Sequence, residues 1–435
     1  MQQRVKCGVV VLGCGVVGGA VAHRLVQAEE PLSVPGGVEL TLLGVMVRDL
    51  RKPRAIPAAL LSVDGSGLIN HPDCHIVVEA LGGVEPARTL ILQALNRGAH
   101  VVTSNKEVIA RHGPELFATA QACGVALLIE GTVGGGIPVM MALKASLSAN
   151  RLNEVTGIIN GTTNHILSAM ALKGQEFEVA LREAQALGYA EADPQADVEA
   201  FDAAYKIAIL AKCLTPQRIP VESILREGIT AVTGVDVRYA DELGYVIKLL
   251  GIARKTPGGL DVRVHPAMIP ARHPLASVNG VNNAIAIRGD LVGEVVLFGP
   301  GAGAGPTSSA VLGDVLNLAA QRETPHPLWS HWGPDDAASP DVQVLSPEAR
   351  ETAFYVRILA EDQPGVIGNV GVICGACGIS IRMLVQKNQA NGHAEIVLVT
   401  HRTREAGMQQ ALERLRHNER IHSIPSVIRV EDLSA

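Results

Sequence analysis

Short apolar runs punctuate the first 130 residues, with room for a helix between most of them. The runs are Gly8–Leu12, Leu40–Val47, Ile76–Ala80, His100–Thr103 and Val125–Ile129. They are nearly continuous rather than alternating, so each predicts a strand buried on both faces of a parallel sheet, joined by crossover helices. From about 136 to 299 the helical stretches lengthen and a second set of strand-like runs appears. Ala284–Arg288 and Leu291–Leu297, separated by Gly289-Asp290, predict a hairpin. The Gly/Ala/Pro segment 299–306 then opens a helix over Thr307–Leu318. Residues 322–350 carry Pro, His, Trp, Ser and Asp without a sustained period and read as a linker. Trp329 and Trp332 within it are better taken as interdomain packing than as a ligand box. Beyond it the pattern reads strand (353–360), helix (364–377), strand (378–386), strand (394–400), helix (405–417), strand (425–431). That βαββαβ order is ferredoxin-like.

The fold class is therefore α/β. A Rossmann-type doubly wound parallel sheet comes from residues 1–135 and 300–321, an α+β domain spans 136–299, and a ferredoxin-like unit spans 351–435. A chain of 435 residues is too long for one ordinary core. With 47% hydrophobic and 18% charged residues it buries a large interior easily. A net charge of −6 offers no basic field, which argues against nucleic acid or anionic membrane as a partner. No long uncharged apolar stretch suggests a membrane span. The run Val9–Leu12 breaks at once into Gly13-Cys14-Gly15, so it reads as a strand entering a turn rather than a signal peptide. Seven scattered cysteines form no framework and point to a reducing, cytoplasmic setting.

Gly13-Cys14-Gly15-Val16-Val17-Gly18 follows a strand and opens a helix, the context a G-x-G-x-x-G fingerprint requires. Its glycines let backbone turn tightly and approach a pyrophosphate at the helix N-terminus. The second strand ends at Arg48-Asp49, followed by Arg51, Lys52 and Arg54. Guanidinium and ammonium groups suit a 2′-phosphate and favour NADP, whereas Asp49 leaves NAD open. The alternative is a solvated basic loop.

Asp193-Pro194 looks like a helix start, with Asp as N-cap and Pro at the first helical position. The helix is expected to run to about Cys213, placing Val198, Asp202, Lys206, Ile209 and Cys213 on one stripe. A carboxylate and an ammonium on an apolar stripe should face a cavity or core. The bland alternative is a surface pair contributing a few tenths of a kcal/mol. Cys374-Gly-Ala-Cys377 has C-x-x-C spacing but sits on an apolar helix, where packing is the simpler reading. His71, Cys74 and His75 fall in an Asn-His-Pro-Asp context that reads as a turn.

Several long strings occur in order: Thr103-Ser-Asn-Lys106, Glu130-Gly-Thr-Val-Gly-Gly-Gly-Ile-Pro138, Gly157-Ile-Ile-Asn-Gly-Thr-Thr-Asn164, Gly188-Tyr-Ala-Glu-Ala-Asp-Pro194, Asp197-Val198 and Asp202-Ala-Ala-Tyr-Lys206. Together they resemble the homoserine dehydrogenase family over essentially the whole chain, in its monofunctional form without an aspartokinase domain ahead. The departures are small: His165 in place of a frequent Tyr, Ala200 in place of the usual Gly, and Gly131-Thr132 in place of Ala-Ser or Ala-Thr.

The resemblance implies NAD(P)H-dependent reduction of L-aspartate 4-semialdehyde to L-homoserine, a step toward threonine, methionine and isoleucine. Negative charge building on the carbonyl oxygen must be met by a proton or a fixed positive group. The match nominates Lys206 as proton donor, Asp202 as its orienting partner and Lys106 as a second candidate. Glu191, Asp197 and Asp202 would hold the substrate's polar end, with backbone from Asn160, Gly161 and Thr162. Besides the fingerprint and Arg48, Lys106, Gly188 and Gly303 would contact the cofactor, the segment Gly301–Gly305 closing over its nicotinamide side. Carbonyls of Glu130, Val133, Gly135 and Ile137 would hold Na⁺ or a similar monovalent cation, the alternative being a metal-free hinge. Residues 136–299 would bind substrate and support a homodimer or homotetramer. Phe354–Leu359, Asp362-Gln-Pro-Gly-Val366, Gly378-Ile-Ser-Ile381, Gln386-Lys387 and Glu395–His401 resemble an ACT domain, whose loop at Asp362–Gly365 would receive an amino-acid effector such as threonine. Two other readings stay open: another ACT-bearing amino-acid dehydrogenase, and an inactive sensor. The second predicts loss of Lys206 or Asp202, and both are present.

Overall fold

The structure is a computed structural model that describes residues 6–27, 32, 37–320, 341–388 and 393–433. Trp329, Trp332 and most of the expected linker lie outside the described residues. The chain forms two compact units, one of residues 1–159, 205–223 and 282–342, the other of residues 160–204, 224–281 and 343–435.

In the first unit the apolar runs become β1 (Lys6–Leu12), β2 (Glu39–Met46), β4 (Cys74–Glu79), β5 (His100–Thr103) and β6 (Leu127–Leu128). A two-residue β3 (Leu61–Ser62) adds an edge that the pattern does not reveal. The sheet order is β3-β2-β1-β4-β5-β6, with all pairs parallel. Central strands are sealed on both faces, which is why their sequences do not alternate. Val9, Val11, Val45, Ile76, Val78 and Val102 meet Val21 of the helix Val16–Val26 and Val311 and Val315 of the helix Ala304–Ala320 in one core. The late helix thus returns to cover the first sheet. It starts three residues earlier than its sequence pattern suggests, directly after Gly303 at φ +117°. The expected hairpin is longer too. β11 (Asn282–Gly289) pairs with β12 (Gly293–Pro300) around a turn closed by Gly293 at φ +71°, and β11 also pairs antiparallel with β7 (Leu152–Ile158).

In the second unit β9 (Tyr245–Thr256) and β10 (Gly259–Pro270) form a twelve-pair hairpin, and the short β8 (Leu225–Arg226) lies parallel to β10. The ferredoxin-like part is β13 (Glu351–Glu361), β14 (Ile381–Asn388), β15 (His393–Thr400) and β17 (Ile421–Val430), with a short β16 (Thr403–Arg404). Its order is β17-β13-β15-β14, and the helices Val366–Ala376 and Glu405–Arg416 share a core with these strands. Buried charges there are paired, as burial requires. Arg357 meets Asp236 at 2.8 Å and Glu395 at 3.1 Å, and Arg263 meets Glu431 at 2.7 Å.

The helix expected from Pro194 to Cys213 is instead broken. A short helix Gln195–Val198 stops, and a second runs Phe201–Ala211. The carbonyl of Val198, which a continuous helix would offer to Asp202, accepts the Ile229 N–H at 2.9 Å. Ala200 absorbs the break at φ +62° and opens the second helix by accepting the Ala204 N–H at 3.0 Å. Pro194 caps the first helix and lies just outside it, while Asp193 Oδ1 accepts the Gln195 N–H at 3.1 Å.

Candidate active site

The fingerprint glycines divide three tasks. Gly13, at φ +102°, passes its N–H to the Met46 carbonyl, and a Cβ there would meet the Ala80 carbonyl oxygen at 2.5 Å. Gly18 sits under the turn, where a Cβ would strike the Gly13 carbonyl oxygen at 2.1 Å. Gly15, between them, faces open space, and the helix Val16–Val26 begins immediately after it. Turn, close backbone approach and helix-to-strand packing are what a pyrophosphate cradle needs. Cys14 is half-buried and Val16 exposed beside this opening, with Val17 packed against the sheet core.

At the tip of β2, Asp49 is occupied by Arg51, which reaches Oδ1 through its backbone N–H at 2.9 Å and its Nε at 3.0 Å. These contacts hold the Asp49 carboxyl below the usual range. Arg54 is folded onto the carbonyls of Asp49 and Lys52 at 2.8 Å. Arg48 is exposed at the strand end.

Lys106 is the first residue of the helix Lys106–Ala122, which Asn105 caps by accepting the Val108 N–H. Asn105 is fixed in turn by the Gly83 carbonyl at 2.7 Å. Glu79, fully buried at the end of β4, takes the Thr103 hydroxyl at 2.5 Å and the Leu81 N–H at 2.7 Å. Burial raises the Glu79 carboxyl. A single acid at the end of an apolar run gave no sequence signal, although its place at the carboxyl end of a parallel strand is where such sheets bind ligands.

Glu130 is buried, and its carboxylate accepts the N–H groups of Met140 and Met141 at 2.9 and 2.8 Å. Its own N–H is held by Asp314 at 3.0 Å. Gly134 and Gly135 follow at φ +80° and +56°, and a Cβ on Gly135 would collide with the Gly301 backbone at 2.5 Å. Among the described residues the carbonyls of Val133 and Gly135 accept no backbone hydrogen bond, while that of Ile137 accepts the Val139 N–H at 2.8 Å. No cluster of three His, Cys, Asp or Glu side chains suited to a metal occurs among the described residues, so any cation here would rest on backbone oxygens. Asn283, which sequence reasoning passed over, is fully buried beneath Gly301 with both side-chain polar atoms unpaired.

Asp202 and Lys206 are one turn apart on the helix Phe201–Ala211, and both are buried. Lys206 Nζ donates to the Ile159 carbonyl at 2.9 Å. In the second unit Asn160 joins two of the predicted carboxylates: its Nδ2 donates to Asp197 at 2.7 Å and to Asp202 at 2.9 Å. Its Oδ1 accepts the Thr163 N–H at 2.9 Å and so caps the helix Gly161–Lys173. Gly161 is required there, since a Cβ would meet the Val281 carbonyl oxygen at 2.8 Å. Thr162 donates to the Tyr189 carbonyl at 2.8 Å and ties down the loop that carries Gly188 (φ +75°) and Glu191. Glu191 itself is exposed, and its carbonyl accepts from Gln185 Nε2 at 3.2 Å. His165 stacks edge-on against Tyr189 with centroids 5.0 Å apart.

His75 Nδ1 accepts the Gly8 N–H, Cys74 opens β4, and both Cys374 and Cys377 are free thiols. No helix among the described residues is long and apolar enough to cross a membrane.

Residues 13–130 match a family model described as the homoserine dehydrogenase NAD-binding domain, residues 138–316 match the homoserine dehydrogenase model, and residues 354–419 match the ACT domain. A homoserine dehydrogenase of Synechocystis is 46% identical, covering 98% of this chain and 99% of its own length. The crystal structure of one from Thiobacillus denitrificans superposes with a TM-score of 0.92 at 40% identity, over the full length of both chains. A hyperthermophilic archaeal homoserine dehydrogenase in complex with NADPH aligns with a TM-score of 0.61 at 26% identity, over 74% of this chain and 99% of that one.

Proposed function

Because this chain belongs to the homoserine dehydrogenase family and is an oxidoreductase with a nicotinamide-binding domain, we propose that it reduces the aldehyde of L-aspartate 4-semialdehyde to the alcohol of L-homoserine, with NADPH preferred over NADH. The observation that carries the reaction is the buried Lys206 ammonium, fixed on the Ile159 carbonyl one helical turn from Asp202. When bound, the nicotinamide supplies a hydride to the aldehyde carbon. Lys206 gives a proton to the carbonyl oxygen as negative charge builds there. Asp202, clamped by Asn160, holds the substrate in register, and Asp197 and Glu191 accept from its ammonium. Lys106, at the head of its helix, is the second cationic group for substrate and cofactor.

Engagement of Asp49 by Arg51 supports the NADP reading, because it leaves Arg48 rather than a free carboxylate at the ribose end of β2. Carbonyls of Glu130, Val133, Gly135 and Ile137 fit a hard monovalent cation such as Na⁺ that would stiffen the glycine turn. Threonine is the proposed effector of the ACT unit, at the loop Asp362–Gly365, and the enzyme is proposed to assemble as a homodimer or homotetramer in the cytoplasm. The decisive assay follows NADPH oxidation with aspartate 4-semialdehyde against unrelated aldehydes and oxoacids. Lys206→Ala should lower turnover on the order of 10²–10⁴-fold while NADPH affinity stays nearly unchanged. Activity within a few-fold of the parent would overturn the assignment. Titration with millimolar threonine tests the effector, and an unchanged rate would refute it.

A further inference from the structure

The helix break ahead of Asp202 is held by one strap of chain, residues 225–230. Leu225 and Arg226 form β8 and pair in parallel with Arg263 and Val264 of β10, and the Glu227 N–H donates to the Val264 carbonyl at 2.8 Å. The Glu227 carboxylate lies 2.6 Å from Arg429, a guanidinium buried on β17 that also binds Glu405. Gly228 then lies flat against the break. A Cβ there would meet the Val198 carbonyl oxygen at 2.3 Å and the Glu199 Cα at 2.9 Å.

Two donors reach the break from this strap. In an unbroken helix the carbonyls of Val198 and Glu199 would accept the N–H groups of Asp202 and Ala203. Here the first accepts the Ile229 N–H at 2.9 Å, and the second accepts the Arg226 guanidinium. Arg226 also rests on the ring of Phe201, its Cζ 3.4 Å from the centroid, in a cation–π contact with the residue next to Asp202. The break matters to the carboxylates. Residues five apart in one helix point ~140° from one another around its axis, so an unbroken helix would turn Asp197 and Asp202 to different sides. Their meeting on Asn160 Nδ2, at 2.7 and 2.9 Å, depends on the two helices being turned against each other.

We propose that Arg226 is a positioning residue of the active site: by capturing the Glu199 carbonyl and the Phe201 ring, it sets the turn between the two helices and so brings Asp197 and Asp202 together for the substrate. The inference rests on the reading that these carboxylates hold the polar end of aspartate 4-semialdehyde. The guanidinium is spent on a carbonyl and a ring, so its contribution is geometric. A planar fork donates in its own plane while its face covers an aromatic ring, a pairing that a lysine reproduces only in part.

The test is steady-state kinetics of the full chain with aspartate 4-semialdehyde and NADPH. Arg226→Met keeps the length of the side chain and its apolar contact with Phe201 but removes the donor. KM for the aldehyde should rise about tenfold, with kcat less affected and NADPH affinity unchanged. Arg226→Lys, which restores a donor and a cation, should recover most of that loss. Should Arg226→Met not fold, Phe201→Leu removes only the exposed ring and should raise the same KM about threefold. An unchanged aldehyde KM, a loss confined to kcat, an equal loss for NADPH, or a lysine variant no better than methionine would overturn the proposal. With an active parent, those results overturn this proposal alone. A parent chain inactive on aspartate 4-semialdehyde overturns the reading beneath it, and this proposal with it.

Discussion

Asn160 donates from Nδ2 to Asp202 Oδ2 at 2.9 Å, and the same amide reaches Asp197 at 2.7 Å. One neutral side chain therefore bridges a buried and a half-buried carboxylate, while its oxygen caps the following helix. Asn160→Ala would remove both functions. We expect a loss of roughly 1–3 kcal/mol in stability and a raised KM for the aldehyde, with NADPH affinity unchanged. Denaturant unfolding and steady-state kinetics on the same preparation check this, and a variant with unaltered KM would show that the clamp is structural only.

Cofactor choice should hinge on Arg48. With Asp49 occupied by Arg51, Arg48→Ala removes the exposed guanidinium at the end of β2. The ratio of kcat/KM for NADPH over NADH should fall by about tenfold, the value of one lost charge-assisted contact. An unchanged ratio would move the 2′-phosphate contact elsewhere.

Ala200 holds a left-handed conformation, φ +62°, that glycine adopts without strain. Ala200→Gly should raise stability by up to ~1 kcal/mol, the relief of strain being partly offset by the entropy of a freer unfolded chain. A fall in the thermal midpoint would mean the methyl group's packing outweighs its strain.

Lys248 is buried, and its Nζ donates to Asn164 Oδ1 at 3.2 Å, Asn279 Oδ1 at 3.1 Å and the Val278 carbonyl at 2.5 Å. Burial pulls the ammonium down to about 8 from 10.5. Between those pH values the unfolded chain binds more protons than the folded one, so folding stability from this group rises as pH climbs from about 8 toward 10.5. Unfolding measured across that window should show the rise in the parent and a flatter profile in Lys248→Met. Parallel profiles would refute the shift.

Cation binding at the glycine turn has a signature independent of turnover. Replacing Na⁺ by choline at equal ionic strength should lower the thermal midpoint if the carbonyls of Glu130, Val133, Gly135 and Ile137 hold the ion. Equal midpoints in the two salts would leave the turn metal-free.

Much of this molecule was written in local pattern. Buried parallel strands need unbroken apolar runs, and a tight strand-to-helix turn needs glycine wherever a Cβ would strike backbone, so β1, β2, β4 and β5 and the need for glycine at positions 13 and 18 were legible along the chain. The Asp202/Lys206 spacing was legible for the same reason, since one helical turn is a local distance. What the sequence could not show was decided by partners far along the chain. The helix before Asp202 breaks because Ile229 takes the Val198 carbonyl, thirty-one residues away. Asp49 is set aside by the way its loop folds back, and Glu431 is taken by the buried Arg263 of a distant strand. Periodicity records which face of an element is dry. Only the folded chain decides which hydrogen-bond acceptors are already taken and which charges are left over for a ligand.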